Sequence, residues 1–193
     1  MKASSRKRRV LFFGRFQPFH KGHLEAVKWL LEYFDEVVIL IGMADESHTW
    51  LNPFTAGERL LMIHNSLIES GIDGRRFLTA TIHTLRIFQG YASYILAYVP
   101  PVDAVATANP AVARGFRDAG INVVTPPLRR RDEWRGEAIR CKMILGDESW
   151  RNAVPRPVEE VIDLVDGVQR VRDIVADRIN ELVKTCKKRE QHL

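Results

Sequence analysis

Short runs of β-branched and aromatic residues alternate with longer stretches of helical periodicity over the first two thirds of the chain. Residues 9–13 predict a first strand, and Glu36–Ile41 predict a second strand that is apolar enough to be buried on both faces. Between the two strands, apolar residues recur at helical spacing, namely Leu24, Val27, Leu31 and Phe34. This alternation predicts an α/β fold in which a Rossmann-like parallel sheet is flanked by helices.

The same alternation continues as far as Pro127. Thr55 and Glu58 form a capping-box signature, which predicts the start of a helix. Strands are predicted at 77–82, 103–107 and 121–124, and helices at 88–98 and 110–119. Beyond Pro127 the pattern is helical only. Helices are predicted at 136–145 and 157–165, and a final amphipathic helix is predicted from Val171, Ile174, Val175, Ile179 and Leu182. A C-terminal helical segment is therefore expected to complete the fold.

The basic residues are concentrated in a few places. With 193 residues the chain is long enough for one domain with a sizeable core, and its formal net charge is +5. Residues 1–8 carry a basic cluster before the first apolar run, so we predict a disordered, solvated N-terminal tail and a single domain over 9–193. The basic residues at 184–189 are interpreted as solvated too, whereas Arg129, Arg130 and Arg131 follow a predicted strand and could face a polyphosphate.

Compartment and membrane association follow from what the sequence lacks. No apolar stretch approaches the roughly 18 residues of a membrane-spanning helix, and the amino end has no apolar signal-peptide core. Cys141 and Cys186 show no CxxC spacing and no nearby histidine cluster, so neither a disulfide framework nor a structural zinc site is predicted. We therefore expect a soluble protein of the reducing cytoplasm.

The most informative segment is Gly-Arg-Phe-Gln-Pro-Phe-His-Lys-Gly-His, residues 14–23, between the first predicted strand and the first helix. Ligands of open α/β sheets bind at the carboxyl ends of strands, where a helix N-terminus favours phosphate. His20 and His23 are placed to converge there, Gly22 permits a close backbone approach, and the segment carries positive charge. Phosphate contact is thus predicted. The alternative is that each histidine is an incidental surface or core residue, and two histidines alone do not indicate a metal site.

This segment resembles the H-x-G-H signature of the nucleotidylyltransferase superfamily. The longer string is similar to the loop G-R-x-Q-P-F-H-x-G-H of the archaeal nicotinamide mononucleotide (NMN) adenylyltransferases. The resemblance runs from about Val10 to Val171. It includes Ser47-His48, residues 52–59, residues 100–103, Asn109-Pro110, the stretch Gly136-x-x-Ile-Arg140 and the stretch Trp150-x-x-x-Val-Pro155.

The resemblance implies transfer of AMP from ATP to NMN, which gives NAD and pyrophosphate. The acceptor phosphate would attack the α-phosphorus of ATP directly, with no covalent enzyme intermediate. Mg²⁺ would enter with ATP, held mainly by the substrate phosphates. The catalytic residues implied are His20, His23 and Arg140. The nucleotide-binding residues implied are Gly14, Arg15, Phe16, Gln17, Lys21, Gly22, Asn109, Gly136 and Ile139.

The acceptor site is where this chain departs from the family pattern. Met43 and Ala44 follow the second predicted strand and are expected to border the acceptor. The family has an aspartate, an asparagine and a tryptophan around the acceptor base, where this chain has Thr84, Phe88 and Tyr91. Tyr91 can still stack on a pyridine ring, whereas threonine and phenylalanine cannot replace the charge and the amide. Three further departures are Ala108 and Arg135, each in place of a serine, and Glu137 in place of a threonine.

Three functions therefore stay open on the sequence. The first is adenylyl transfer to NMN, and the second is the same chemistry with another phosphorylated acceptor. The third is a non-catalytic relative that binds nucleotides or RNA, although no RNA-binding signature is present. We expect neither a membrane nor a nucleic acid as a partner, but we do expect a homo-oligomer. For Tyr91, the alternative to acceptor stacking is packing in the core beside Phe88 and Ile95.

Overall fold

The computed structural model describes residues 6–83, 90–127, 130 and 132–190. Its strands are β1 (Arg9–Gly14), β2 (Glu36–Ile41), β3 (Phe77–Thr81), β4 (Ala104–Ala106) and β5 (Val123–Val124). Its helices are α1 (Lys21–Tyr33), α2 (Ala56–Glu69), α3 (Tyr91–Ala97), α4 (Pro110–Asp118), α5 (Gly136–Leu145), α6 (Arg156–Leu164), α7 (Gly167–Ile174) and α8 (Ile179–Glu190). In this part of the chain, no helix combines the length and the apolar character needed to cross a membrane.

The five strands form one sheet in the order β3-β2-β1-β4-β5, and every neighbouring pair is parallel. The predicted α/β fold with a Rossmann-like sheet is confirmed. The chain leaves β1 in one direction to form β2 and β3, and later returns to its other side to form β4 and β5. The carboxyl end of β1 is therefore the topological switch point, where open sheets of this kind bind ligands.

Alternate residues of β1 point to opposite faces of the sheet and belong to different cores. Val10 and Phe12 lie in the larger core with α1, α2 and the C-terminal helices. Leu11 lies in the smaller core with Ala92, Ile95 and Phe116, which α3 and α4 contribute. Helices on both faces bury the central strands, which explains why the second strand is apolar at nearly every position.

The predicted capping box at α2 is confirmed and has an additional partner. The Thr55 side chain accepts from the backbone N–H of Glu58, and the Glu58 carboxylate accepts from the backbone N–H of Thr55. Arg170 on α7 donates to the same carboxylate at 2.7 Å. The start of α2 is thereby joined to the C-terminal helices.

The prediction of one final amphipathic helix is wrong. The chain forms α7 as far as Ile174, then a 3₁₀ turn over Ala176–Arg178, and then α8. The backbone N–H of Val175 bonds to Arg172, three residues earlier, which tightens the chain out of the α-helical path. Apolar residues keep helical spacing across this break, because both helices pack on the same core, so the spacing alone does not show it.

The expectation of no disulfide is also corrected. Cys141 on α5 and Cys186 on α8 form a disulfide, with their Cα atoms 5.4 Å apart. The two residues are 45 positions apart and meet only because α8 packs on α5, which no local spacing reveals. A disulfide does not by itself fix the compartment, since intracellular proteins of some hyperthermophiles also contain them.

Part of the predicted tail is attached to the sheet. The Arg6 guanidinium pairs with Asp103 at 3.1 Å, and the Lys7 ammonium pairs with Glu36 at 3.0 Å. The carbonyl of Arg8 accepts from the backbone N–H of Asp35 at 2.9 Å. Arg6, Lys7 and Arg8 thus contact the rest of the fold, and the division of the chain into a tail over 1–8 and a domain over 9–193 stays a prediction. Four residues of interest, Thr84, Phe88, Arg129 and Arg131, lie outside the described residues.

Candidate active site

The two histidines of the H-x-G-H segment cap α1 reciprocally. His20 is the N-cap residue in an extended conformation, and its Nδ1 accepts from the backbone N–H of His23 at 3.3 Å. The Nδ1 of His23 in turn accepts from the backbone N–H of His20 at 3.3 Å. The two rings are stacked, with centroids 3.5 Å apart and planes 18° apart. The imidazoles occupy the positions that Ser and Glu fill in an ordinary capping box.

Both histidines are neutral at physiological pH. Burial lowers the pKa of His20 to about 3. Burial, and then the adjacent His20, lowers the pKa of His23 well below its ordinary value. In each ring Nδ1 accepts a hydrogen bond, so the single proton of the neutral imidazole resides on Nε2. Each histidine therefore offers one Nε2–H donor to a ligand.

The histidines line a strongly basic cavity at the switch point. This phosphate cavity, as we name it, has a volume of about 360 Å³. Its charged or titratable lining residues are Arg15, His20, His23, Arg135, Glu137 and Arg140. Helix α5 begins at its wall with Gly136, so the first N–H groups of that helix lie beside it. The combination of arginines and a helix N-terminus suits a polyphosphate.

Arg140 is buried in the wall of this cavity, with only 3% of its surface exposed. One Nη atom donates to the carbonyl of Gln17 at 2.6 Å, and the Trp50 ring lies 4.9 Å from the guanidinium carbon. Its Nε is buried without a hydrogen-bond partner among the described residues. Burial, and next the charge of Arg15, lowers the pKa of Arg140 to about 10, so the group remains charged at neutral pH.

Gly136 lets the start of α5 approach the loop after β1. A Cβ atom at this position would lie 2.5 Å from the carbonyl oxygen of Gln17, which is too close for any side chain. Gln17 is itself fixed, because its amide nitrogen donates to the carbonyl of Phe54 at 2.8 Å and its amide oxygen accepts from the N–H of Phe54 at 3.0 Å. Gln17 therefore lines the cavity with its side-chain amide already bonded to Phe54.

A second cavity of about 400 Å³, which we name the acceptor cavity, lies on the α3–α4 side of the sheet. Met43 and Tyr91 line it together, as the sequence suggested, and so do Gly14, Arg15, His83 and Asn109. The Tyr91 ring packs edge-on against Phe13, with centroids 6.1 Å apart. Burial raises the pKa of Tyr91 to about 12, so its hydroxyl stays protonated.

A third cavity of about 240 Å³ adjoins the other two. It shares His20, His23 and Arg135 with the phosphate cavity, and Phe13 and Thr107 with the acceptor cavity. Gly22, Trp134 and Pro126 complete its apolar and backbone walls. Arg15 in turn lines both the phosphate cavity and the acceptor cavity. The three cavities are thus contiguous around the carboxyl end of β1.

Three of the expected site residues line none of the three cavities, namely Lys21, Ile139 and Ala44, and two expected at the nucleotide, Gly14 and Asn109, line the acceptor cavity; their roles stay predictions. The Lys21 ammonium donates to the carbonyl of Asn152 at 2.9 Å, and Ile139 is fully buried in the larger core. Asn109 caps α4 and lines the acceptor cavity. The N–H of Ala44 bonds to the carbonyl of Ile82, and this residue lines none of the three cavities. Phe16, by contrast, lines the phosphate cavity and packs against the His23 ring at 4.9 Å.

Sequence reasoning missed Arg59, which connects the loops around these cavities. It is completely buried, and its guanidinium donates to the carbonyls of Arg15, Gly42 and Met43 at 2.8 to 2.9 Å. These carbonyls belong to the segments that follow β1 and β2. Burial lowers the pKa of Arg59 to about 10. No local pattern distinguishes this arginine from a solvated helix residue, because its partners are distant backbone carbonyls.

The family follows from comparison with known proteins. The model of the cytidylyltransferase-like family matches residues 11–191. The chain belongs to the cytidylyltransferase-like family. It is 51% identical to an uncharacterized protein of Archaeoglobus fulgidus, over 87% of this chain and 96% of that protein. It is 45% identical to the nicotinamide-nucleotide adenylyltransferase of Ignicoccus hospitalis, over 86% of this chain and 97% of that enzyme. The resemblance to archaeal NMN adenylyltransferases is thereby confirmed.

Solved structures support the fold of this family member. A bifunctional NMN adenylyltransferase/ADP ribose pyrophosphatase from Francisella tularensis, crystallised with AMP and a manganese ion, superimposes with a TM-score of 0.68 at 22% identity. The alignment covers 89% of this chain and 52% of that one, so the family member spans about half its length. A putative nicotinate-nucleotide adenylyltransferase from Vibrio parahaemolyticus gives 0.61 at 16% identity, over 86% of this chain and 96% of that chain.

Proposed function

We propose that this protein transfers AMP from ATP to NMN, giving NAD and pyrophosphate. The observation that carries the proposal is the stacked neutral pair His20 and His23, which lines two of three contiguous cavities at the switch point. Relatives named nicotinamide-nucleotide adenylyltransferase, at 44% to 45% identity over most of both chains, support the same reaction.

Each cavity suits one part of the two substrates. The basic phosphate cavity takes the triphosphate of ATP. The third cavity, with Gly22 and Trp134, takes the adenosine. The acceptor cavity takes NMN, with its pyridine ring near Tyr91 and its phosphate near Arg15. The α-phosphorus then lies beside the histidines, which border both ATP cavities, and the acceptor phosphate approaches it past Arg15.

The chemistry needs positioned donors rather than a nucleophilic side chain. In this reaction a nonbridging oxygen of the acceptor phosphate attacks the α-phosphorus, and the bond to the β-phosphate oxygen breaks. Negative charge develops on the α-phosphate oxygens and on the departing pyrophosphate. The Nε2–H groups of His20 and His23 donate to the α-phosphate oxygens, and the guanidinium of Arg140 stabilises the departing pyrophosphate. Donors fixed in a buried site stabilise such charge without reorganising.

The divalent ion belongs with the ATP. In the described ranges, no group of three or more His, Cys, Asp or Glu residues could hold a metal ion. The lining of the phosphate cavity is mainly basic, which suits a polyanion that brings its own cation. We propose Mg²⁺ coordinated mainly by the substrate phosphates, where it neutralises part of their charge.

The charges that line the acceptor cavity are also compatible with a second, negatively charged acceptor. Arg15 and His83 line it, and its described lining residues include no carboxylate. An acceptor with a carboxylate on the pyridine ring, such as nicotinic acid mononucleotide, would therefore meet no repulsion from these residues. It is the runner-up acceptor for the same transfer chemistry.

The setting of the reaction is also part of the proposal. We assign the protein to the cytoplasm, because ATP and pyridine nucleotides are intracellular metabolites. A homo-oligomer, expected from the family resemblance, stays a prediction. A nucleic acid partner is not proposed, since Arg6, Lys7 and Arg9 of the basic N-terminal segment pair with Asp103 and Glu36.

The test is pyrophosphate release with Mg-ATP and either NMN, nicotinic acid mononucleotide or no acceptor. We expect NMN-dependent release, with formation of NAD confirmed chromatographically. His20→Ala and His23→Ala should each lower kcat on the order of a hundredfold in folded protein. If neither NMN nor nicotinic acid mononucleotide supports pyrophosphate release, or if both histidine variants turn over at near-normal rates, the assignment is contradicted.

A further inference from the structure

The segment between β2 and α2 contributes to both substrate sites. Met43 at its beginning lines the acceptor cavity, and Leu51 lines the phosphate cavity. Trp50, immediately before Leu51, faces Arg140 and has no role in the function proposed above. Its ring thus connects this loop to a buried arginine of the site.

Trp50 and Leu51 occupy the tip of a tight, internally bonded turn. The N–H of Thr49 donates to the carbonyl of Asn52 at 3.2 Å, and the N–H of Asn52 donates back to the carbonyl of Thr49 at 3.1 Å. The Asn52 side chain is fully buried, and its amide donates to the Glu46 carboxylate at 3.0 Å. The turn therefore presents Trp50 in one fixed direction.

Arg140 is held by contacts that leave part of its hydrogen-bonding capacity unused. Its Nη1 donates to the carbonyl of Gln17, and its guanidinium carbon lies 4.9 Å from the centre of the Trp50 ring. A carboxylate in that place would occupy two N–H groups and cancel the positive charge. An aromatic face attracts the cation while leaving its N–H groups available in the plane.

We propose that Trp50 is a positioning residue for Arg140, whose guanidinium plane it fixes so that the N–H groups serve phosphate oxygens of ATP. The turn over 49–52 thereby sets the affinity of the phosphate cavity for the polyphosphate. This inference rests on the proposed function for the identity of the nucleotide. It adds a residue that does not itself line the phosphate cavity.

Calorimetric binding of Mg-ATP, without any acceptor, tests this role. Trp50→Leu should raise the Kd for ATP on the order of tenfold, because a largely desolvated cation–π contact is lost. Trp50→Phe restores an aromatic face and should stay within about threefold of the parent. The matched control is Trp29→Leu, on α1, where the ring packs against Tyr33 and lines none of the three cavities. It should leave the Kd unchanged.

A double-mutant cycle separates positioning of Arg140 from a general effect on the loop. In an Arg140→Met background, Trp50→Leu should add nothing to the loss of ATP affinity. Melting curves accompany every variant, and Trp50→Met replaces Trp50→Leu if the latter melts early. Unchanged ATP affinity in a folded Trp50 variant lacking the ring, or a full additional loss in the Arg140→Met background, would overturn the proposal. A protein that binds ATP as described but adenylates no acceptor would instead refute only the proposed function.

Discussion

Charge and hydrogen bonding are divided between different residue types at the active site. His20 is buried, His23 is partly buried, and their rings are stacked at 3.5 Å, so two protonated rings would repel each other and lose hydration. The positive charge comes instead from arginine side chains, of which Arg140, with a pKa of about 10, stays charged through the physiological range. Because the two histidines are neutral, their capacity to donate hydrogen bonds does not change with pH near neutrality.

The buried His20 predicts an acid-sensitive fold. The pKa of His20 is about 3 in the folded protein and 6.5 ordinarily, so the unfolded chain binds more protons between these values. Stability is fully present above pH 6.5 and falls as the pH drops towards 3, by about 2 kcal/mol at pH 5 from His20 alone. Urea unfolding at pH 7.5 and pH 5 measures this difference. The difference in unfolding free energy between the two pH values should be smaller in His20→Asn. An equal difference in both proteins would rule out His20 as the source of the acid sensitivity.

Tyr91 predicts a selective effect on the acceptor. Tyr91→Ala should weaken NMN binding by about 1 to 3 kcal/mol, the range for an aromatic stacking partner of a base, with little change in ATP affinity. Tyr91→Trp should preserve activity, because it keeps the aromatic face. Titration of each variant with both substrates, with a melting curve, provides the measurement. Because the ring also packs against Phe13 and Phe116, a lower melting temperature without a change in NMN affinity would assign Tyr91 to the core alone.

At the level of elements, the start of α5 decides the shape of the phosphate cavity. Gly136→Ala should push the helix away from the loop after β1, because the new Cβ would clash with the Gln17 carbonyl at 2.5 Å. The bond from Arg140 to that carbonyl would be lost, and a shift near 1 Å costs on the order of a hundredfold in rate. Steady-state kinetics of pyrophosphate release give the comparison.

Gly57→Ala is the matched control for Gly136→Ala. Gly57 lies in the first turn of α2, and a Cβ there would have no atom within 4 Å. We expect parent activity and a stability that is equal or higher by about 0.5 to 1 kcal/mol, since alanine favours the helix. Equal activity of the two alanine variants would exclude a steric role for Gly136.

Elements with strong local signals were predictable from the sequence. The structure confirms β2 over Glu36–Ile41, α5 over Gly136–Leu145 and the capping box of α2, because buried apolar runs, glycines and caps determine them locally. The break between α7 and α8 was not predictable, since apolar spacing continues through the 3₁₀ turn at Ala176–Arg178. Local patterns record which face is buried but not where the chain turns.

The same distinction holds for the site. The H-x-G-H segment indicated a phosphate site because its residues are consecutive at a strand end. The buried Arg59, the pairing of Gln17 with Phe54 and the stacking of Trp50 on Arg140 were missed, because each joins segments that are remote in sequence. Such contacts depend on tertiary packing, so the spacing and residue types within one segment do not predict them.

At the scale of the whole molecule, the disulfide joins the last helix, α8, to α5, the helix that carries Arg140. Cys141 directly follows Arg140 on α5, and Cys186 lies on α8, 45 residues further along. A cross-link of this length typically adds about 2 to 4 kcal/mol by restricting the unfolded chain. The double variant Cys141→Ser/Cys186→Ser should lose that much in urea unfolding, and a reductant should affect only the parent. Free thiols found by alkylation and mass spectrometry in the unreduced parent would contradict the cross-link.

The shared walls of the three cavities affect how the protein would respond to its own product. Phe13 and Thr107 line both the acceptor cavity and the third cavity, and Arg15 lines both the acceptor cavity and the phosphate cavity. A dinucleotide is as long as both substrates together without the pyrophosphate, so it would fill two of these compartments at once. We expect NAD to compete with ATP and with NMN alike, which initial-rate measurements at several NAD concentrations would reveal. Rising NAD would then slow its own synthesis without a separate regulatory site.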